Sequence, residues 1–174
     1  MITIIGTNGT IKNIDEFVQQ LLLFSKKENL VLQAFDAAAI YGKDHLISAT
    51  THAQRAFEQK TNATNSLALE ILLYAAGERQ IHKAIKKIGI RKGKQNIAFV
   101  IVDELKRKAD GKTYDTVIDK LLKEFHLTRD DKVLEGDRDT LSRFGLTDHE
   151  IRTMPESKYN DLILEKVAMV DVIK

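Results

Sequence analysis

The chain has 174 residues, of which 43% are hydrophobic and 30% charged, and it contains no cysteine. These proportions are typical of a globular domain long enough to bury its own core. The lack of cysteine excludes disulfides and thiolate metal sites and favours a reducing, cytoplasmic location. No apolar run approaches the ~20 residues that a membrane helix needs. We therefore predict a single domain over residues 1–174 with no membrane anchor.

The net charge of +2 is unevenly distributed along the chain. Residues 77–94 carry seven Lys or Arg against one acid, a local charge of +6, which leaves 20 bases against 24 acids, or −4, in the remainder. Such asymmetry indicates a polyanionic partner, although a solvated helix face and loop would give the same pattern.

Periodic apolar residues, capping residues and glycines predict the elements of the chain. In the first half these are an edge strand over 1–5 with a turn at 6–9, a helix capped by Asn13 that ends near 25–29, a strand over 30–35, and a helix over 43–59. In the second half they are a buried strand over 96–102, an exposed loop or short helix at 103–112, a helix over 113–127, a short strand at 133–135, short helices capped by Asp137 and Thr147, and a last helix from about 156. This order predicts an α/β or α+β fold in which many α-helices flank a small mixed or antiparallel β-sheet.

The central segment 65–89 is predicted to form two helices that break at Gly77. The first run is almost wholly apolar. In the second run an inward stripe is formed by Ile81, Ala84, Ile85 and Ile88. A solvent-facing row is formed by Arg79, Lys83 and Lys87, which recur every four residues. The segment therefore combines a buried anchor with a basic surface.

Signatures of catalysis are missing from the sequence. It contains no phosphate-binding glycine loop, no H-E-x-x-H pair and no nucleophile elbow. Four acids cluster at Asp130, Asp131, Asp137 and Asp139, but Leu141 and Ser142 stand where a calcium loop needs an oxygen ligand and a glycine. We therefore predict that the chain is not an enzyme and that it uses no metal or cofactor.

Two histidines on the 43–59 helix could also suggest a metal site. His45 and His52 lie seven residues apart, about two helical turns, which is too far for both to bind one ion. We expect both at the surface or at its boundary.

Two long phrases resemble a known family. They are VLQAFDAAAIYGKDHLISATTHAQRAF over 31–57 and NSLALEILLYAAGERQIHKAIKKIGI over 65–90. Their AFD segment, the GK-x-HL-x-SA helix start, the NS-x-x-x-EILLYA-x-GERQI motif and the closing IG are similar to the kinase-associated regulatory subunit of the KEOPS (EKC) complex in its archaeal form. The resemblance covers about half of the chain, and the last helix also resembles the end of that family.

The resemblance implies a non-catalytic subunit of a complex that makes N6-threonylcarbamoyladenosine next to the anticodon of tRNA. It implies a direct partner, a small atypical kinase/ATPase, indirect contact with other KEOPS subunits, and recruitment of tRNA through its 3′ CCA end. The tRNA-binding positions implied for this chain are Asn65, Gly77, Arg79, Gln80, Ile81, Lys83 and Lys87. The kinase interface is placed on the apolar side of the last helix, at Leu162, Ile163 and Val167.

Two other functions remain open at the level of the residues. One is a small metal-dependent, RNA-directed enzyme that uses the acids between Asp130 and Asp139. The other is a pure protein-interaction module whose basic helix contacts an acidic partner.

Overall fold

The computed structural model describes residues 1–103 and 111–173. Its strands are β1 (Ile2–Ile11), β2 (Val31–Asp36), β3 (Gly93–Val102) and β4 (Thr128–Arg129). Its helices are α1 (Ile14–Glu28), α2 (Gly42–Glu58), α3 (Leu67–Ala76), α4 (Ile81–Ile88), α5 (Gly111–Glu124), α6 (Arg138–Phe144), α7 (Asp148–Arg152) and α8 (Tyr159–Ile173), with short 3₁₀ turns at Ala37–Ala39, Asp131–Leu134 and Glu156–Lys158. The loop or short helix predicted at 103–112 lies largely outside the described residues.

The four strands form one antiparallel sheet in the order β2-β3-β1-β4. The predicted fold class is confirmed in its α+β form. The strand β3 pairs with β1 along its whole length and with β2 over its second half. Its residues from Ile97 to Val102 are all buried. A strand covered on both faces carries a continuous apolar run instead of an alternating one, which explains this segment of the sequence.

The sheet separates two hydrophobic cores. On one face Ile97, Phe99 and Ile101 of β3 pack with the apolar sides of α1 and α5. On the other face Ala98, Val100 and Val102 pack with residues from α2, α3, α4, α6, α7 and α8. The second core is the larger, and its helices carry the features that concern function.

Side-chain caps fix where several helices begin. The predicted caps Asn13, Asp137 and Thr147 are confirmed, since each side chain accepts a hydrogen bond from a backbone N–H in the first turn of α1, α6 and α7. Ser66 caps α3 in the same way, and Asp36 caps the first 3₁₀ turn. A local sequence pattern predicts these starts because the cap contacts lie only two or three residues away.

The predictions at β1 and at residues 133–135 are wrong. Residues 6–9 continue the strand and make no turn, and β1 lies between β3 and β4 instead of at the edge. Gly6 is needed because a Cβ there would lie 2.6 Å from the carbonyl oxygen of Asp130, and a Cβ at Gly9 would lie 2.4 Å from Leu127 Cδ2. Residues 133–135 belong to a 3₁₀ turn and its end, and the short strand lies at Thr128–Arg129.

Candidate functional site

The predicted break at Gly77 is present and separates α3 from α4. Gly77 ends α3 with a left-handed φ of 66°. Its N–H donates to the Tyr74 carbonyl at 3.1 Å, and the Glu78 N–H donates to the Leu73 carbonyl at 3.0 Å, which together form a Schellman cap. A Cβ at Gly77 would lie 3.3 Å from the Lys166 carbonyl oxygen, so the glycine also lets α3 end against α8.

A cleft of ≈ 250 Å³ opens beside this break. It is lined by Thr61, Ala63, Leu73, Glu78, Arg79 and Val170. The cleft brings the loop before α3 together with the residues that follow α3. Of the predicted tRNA-binding residues, Arg79 lines it directly.

The remaining predicted residues are distributed around the break. Gln80, Ile81 and Lys83 follow Arg79 and are exposed at the start of α4. Asn65 is also exposed, but it precedes α3. The ten residues of α3 make a helix about 15 Å long, so Asn65 and Gly77 lie near opposite ends of it.

The predicted basic row on the second helix is only partly correct. Arg79 precedes the N-cap Gln80, so it lies outside the helical row. Lys87 is half-buried: its ammonium lies 3.7 Å from Glu78 Oε1 and 4.1 Å from the centre of the Phe144 ring. Burial lowers the pKa of Lys87, and Glu78 opposes that shift. Of the two lysines in the predicted row, Lys83 is thus the more accessible.

The predicted apolar stripe of α4 is also only partly buried. Ala84 and Ile88 are fully buried, as predicted. Ile81 and Ile85 are exposed instead. The cause is tertiary: the core covers only part of the apolar side of this short helix. Two isoleucines are consequently left on the surface next to the cations.

A buried carboxylate holds the loop before α3. Glu70 has no exposed surface, and it accepts hydrogen bonds from the backbone N–H groups of Ala63 (3.1 Å) and Thr64 (3.0 Å) and from the Thr64 hydroxyl (2.9 Å). The glutamate in the NS-x-x-x-E part of the motif therefore fixes the loop that carries Asn65. Glu70 is not among the residues predicted from the sequence, although an acid inside an apolar helical run is a visible signal of such a role.

Buried polar contacts also tie the helices together. The prediction of a surface position is wrong for His45, which has no exposed surface. Its Nδ1 accepts from the Tyr41 N–H at 3.1 Å, and its Nε2 lies 2.8 Å from the Ala75 carbonyl, to which it donates. Tyr74 is fully buried, and its hydroxyl donates to the Asp171 carboxylate, which also contacts His52 Nδ1 at 2.8 Å. These bonds join α2, α3 and α8.

The side chains predicted for the kinase interface divide into two groups. Ile163 and Val167 are fully buried in the larger core and Leu162 is half-buried against it. The surface of α8 instead exposes Met169, Val172 and Ile173. The apolar residues that α8 offers to a partner are therefore at its C-terminal end.

A second apolar surface lies along β2, the strand at one edge of the sheet. A groove of ≈ 980 Å³ runs there between α1 on one side and α3 and α4 on the other, and its walls include Ile14, Val18, Leu22 and Ile85. All four side chains are exposed. Val18 and Leu22 stay exposed because the buried side of α1 is formed by Phe17, Leu21 and Phe24.

Three of the acids between Asp130 and Asp139 have structural roles. Asp130 and Asp137 cap the elements that follow them. Asp131 accepts from the Gly6 N–H at 2.9 Å and pairs with Arg129 and Lys43. Partial burial acts to raise the pKa of Asp131, but these contacts outweigh burial and hold that pKa below its usual value. Within residues 1–103 and 111–173, no group of three or more His, Cys, Asp or Glu is arranged to hold a metal ion.

The fold and the candidate site together define a helix-rich α+β protein whose notable features are exposed surfaces: the basic break after α3, the apolar end of α8 and the groove along β2. A family model described as kinase binding protein CGI-121 matches residues 9–171. The regulatory protein Cgi121 of Methanocaldococcus jannaschii is 30% identical over 145 residues, which cover 83% of this chain and 86% of that protein. The chain belongs to the CGI-121 family of kinase-binding proteins.

Family membership confirms the predicted resemblance and settles two further points. The chain is a non-catalytic regulatory protein that binds a kinase, so the prediction that it is not an enzyme is confirmed. The alternative of a metal-dependent enzyme acting on RNA is rejected on the same ground. In the part of the chain that the structure describes, no helix is long and apolar enough to cross a membrane.

Proposed function

We propose that this chain is an accessory subunit of a KEOPS complex that bridges a small atypical kinase/ATPase and tRNA. Through the kinase it reaches the other KEOPS subunits, and it recruits tRNA by the 3′ CCA end for formation of N6-threonylcarbamoyladenosine next to the anticodon. The supporting observation is the exposed group Arg79, Gln80, Ile81 and Lys83 at the break between α3 and α4, beside a cleft.

The chemistry of this group suits a single-stranded RNA end. Arg79 and Lys83 neutralise phosphates, whereas the amide of Gln80 both donates to and accepts from a base edge. Ile81 offers an exposed apolar surface against which a base packs. The Gln80 side chain makes no capping hydrogen bond to α4, so its amide is not committed to the helix start.

Asn65 and Lys87 have more restricted roles in this proposal. Asn65 lies at the far end of α3 and would contact a different nucleotide from the one at Arg79. Lys87 is held by Glu78 and Phe144, so we assign it a long-range electrostatic contribution. Gly77 acts through the backbone, because its left-handed conformation turns the chain from α3 toward Arg79.

The test is binding of intact tRNA against tRNA trimmed of its CCA end, measured at one fixed salt concentration. We expect trimming to weaken binding at least about tenfold, equivalent to ~1.4 kcal/mol. Arg79→Glu should weaken binding of intact tRNA similarly and have little effect on the trimmed form. Equal affinity for the two RNAs would rule out recognition of the 3′ end.

Arg152→Glu supplies the matched control for Arg79→Glu. Arg152 is exposed on α7, outside the 77–94 segment, and its reversal changes the net charge by the same amount. If both variants lost affinity equally, the effect would be one of overall charge, and Arg79 would have no place in the site.

For kinase docking we propose the exposed C-terminal end of α8. Val172 is 72% exposed, and Met169 lies one turn before it. Exposed apolar side chains that lie together are typical of protein interfaces. The double variant Met169→Glu/Val172→Glu should therefore bind the cognate kinase at least about tenfold more weakly, by titration calorimetry, since each glutamate would be desolvated on docking.

The groove along β2 provides the comparison for this experiment. The double variant Val18→Glu/Leu22→Glu places the same charges on another exposed apolar surface. We expect it to bind the kinase with unchanged affinity. Loss of binding in the groove variant alone would locate the kinase on α1 and β2 and would contradict the α8 proposal.

A further inference from the structure

Asp36, the last residue of β2, is nearly buried and is contacted by two arginines from distant parts of the chain. Its Oδ2 lies 2.9 Å from Arg143 Nη2 on α6 and 3.4 Å from Arg91 Nε, just after α4. Its Oδ1 accepts from the Ala38 N–H at 3.0 Å. The carboxylate is thus fixed in place, and it fixes the two guanidinium groups in turn.

The second arginine is not needed to compensate Asp36. One guanidinium neutralises one carboxylate, so the cluster keeps a net charge of +1. The side chains of Arg91 and Arg143 remain 58% and 45% exposed. A guanidinium has five N–H donors, and the contacts to Asp36 use one nitrogen of each. Most of their donors are therefore free to bind an anion from solvent.

The spacing of the two groups suits a phosphate. Both nitrogens contact the same oxygen, at 2.9 and 3.4 Å, so they lie no more than 6.3 Å apart. Two guanidinium groups at that separation can both reach the oxygens of one phosphate, and arginine is the preferred residue for such forked contacts. The buried carboxylate reduces the entropy lost on binding, because it already orients the pair.

The position of the pair connects it to the basic segment. Arg91 follows the C-terminal end of α4, whereas Arg79 precedes its N-terminal end, and the eight residues of α4 span about 12 Å. Arg143 lies on α6, which packs against α4. The pair is thus displaced from the break by about the length of one short helix.

We propose that Arg91 and Arg143 form a phosphate-binding pair, oriented by Asp36, that holds the sugar-phosphate backbone of RNA at a distance from its 3′ end. This inference rests on the proposed function, since the phosphate would belong to the same tRNA. It would lie in the strand that leads to the 3′ end or in the acceptor stem, away from the break at Gly77. Asp36 is a positioning residue: it does not contact the RNA but orients the groups that do.

The test measures tRNA affinity of Arg91→Gln and Arg143→Gln as a function of salt. Each variant should weaken binding several-fold and reduce the magnitude of the slope of log K against log salt by ~0.7–0.9, the range for one phosphate contact in single-stranded or duplex nucleic acid. Both effects should persist on tRNA trimmed of its CCA end. If Arg143→Gln fails to fold, Arg91→Gln alone still tests the proposal. In the Arg91→Gln variant Arg143 remains and neutralises Asp36.

The matched control is Arg138→Gln, on the same helix as Arg143 and exposed. The five-residue separation puts Arg138 on another side of α6. It should leave both affinity and slope unchanged. Equal losses of tRNA affinity in all three variants would show an effect of overall charge and would overturn the proposed phosphate-binding pair. An unchanged salt slope in both Arg91→Gln and Arg143→Gln would overturn it as well.

Two further outcomes separate this inference from the proposed function. In the first, trimming the CCA end leaves tRNA affinity unchanged while the arginine variants still reduce the salt slope. In that case the proposed recognition of the 3′ end would be wrong, and the proposed phosphate-binding pair would be supported. If the arginine variants lost kinase binding and kept RNA binding, the pair would contact an acidic protein surface, and the phosphate assignment would be overturned.

Discussion

Lowering the pH from 7 to 4 should remove roughly 3 kcal/mol of unfolding free energy through His45 alone. The imidazole is fully buried, and burial lowers its pKa from the ordinary 6.5 to about 4, with a smaller contribution from the Lys87 charge. The hydrogen bond to the Ala75 carbonyl opposes this shift but does not cancel it. Desolvation of the charged ring therefore dominates.

The geometry explains why the ring resists a second proton. The Nε2–H already donates to the Ala75 carbonyl, and Nδ1 accepts from the Tyr41 N–H. A proton on Nδ1 would point at another donor and lose that bond. In the unfolded chain the same histidine takes up a proton freely below pH 6.5.

The direction of the pH effect follows from these two states. The pKa is lower in the folded state, so the unfolded state binds more protons between pH 6.5 and about 4. The stabilisation from His45 is complete above pH 6.5, falls as the pH drops through this window, and is lost below about pH 4. Urea unfolding at a series of pH values measures it directly.

A variant that cannot titrate isolates the contribution of His45. His45→Gln should be less stable at pH 7 but should show a flatter fall in stability from pH 7 to 4. The control, His149→Gln, removes an exposed histidine on α7 and should retain the wild-type profile. Parallel pH profiles for wild type and His45→Gln would show that His45 titrates normally in the folded protein.

Local patterns predicted the fold where the controlling contacts are local. The caps at Asn13, Asp137 and Thr147 satisfy N–H groups within three residues, and the buried run of β3 reflects two covered faces. The break at Gly77 was also predictable, since a glycine after an apolar helical run is typical of a left-handed C-cap. These features required no knowledge of the tertiary structure.

The errors share one physical cause, a partner distant in sequence. The local pattern at Gly6 predicts a turn, but the strand needs this glycine because the Asp130 carbonyl approaches closely. The sequence predicts a surface or boundary position for His45, but the carbonyl that accepts its hydrogen bond belongs to Ala75, thirty residues away. A hydrophobic period shows that α1 and α4 have apolar sides, but it does not show that Val18 and Ile85 remain uncovered.

The candidate site shows the same division. The exposed residues that follow Gly77 could be named from the sequence, because they form one short continuous motif. Arg143 could not, since its partner Asp36 is 107 residues away and only the fold brings the two together. The apolar end of α8 is an intermediate case: the helix was predicted, but which of its apolar residues face the core depends on how it packs against α2 and α3.

Replacing Glu70 by glutamine should cost roughly 3 kcal/mol of stability, because hydrogen bonds to a charged acceptor contribute about 1.5–3 kcal/mol each. The carboxylate accepts from the N–H groups of Ala63 and Thr64 and from the Thr64 hydroxyl. A glutamine offers one oxygen and turns an NH₂ group toward the remaining donors. At least one of these two N–H groups would then lose its acceptor.

The measurement has a global and a local part. Thermal or urea unfolding gives the loss of stability, and amide hydrogen exchange should accelerate most at Ala63 and Thr64. Glu58→Gln is the control, since Glu58 is exposed at the end of α2 and the change in charge is the same. Equal stability of the two variants would show that Glu70 does not hold the loop.

The same variant links the fold to the proposed function. Glu70 is hydrogen-bonded to the loop that carries Asn65. Thr61 and Ala63 of that loop line the cleft beside Arg79. If the loop contributes to RNA binding, Glu70→Gln should weaken tRNA binding even at temperatures where the protein remains folded. Asn65→Ala should cause a similar loss without the loss of stability. A Glu70→Gln protein with accelerated exchange in the loop but wild-type tRNA affinity would confine the RNA site to Arg79 and α4.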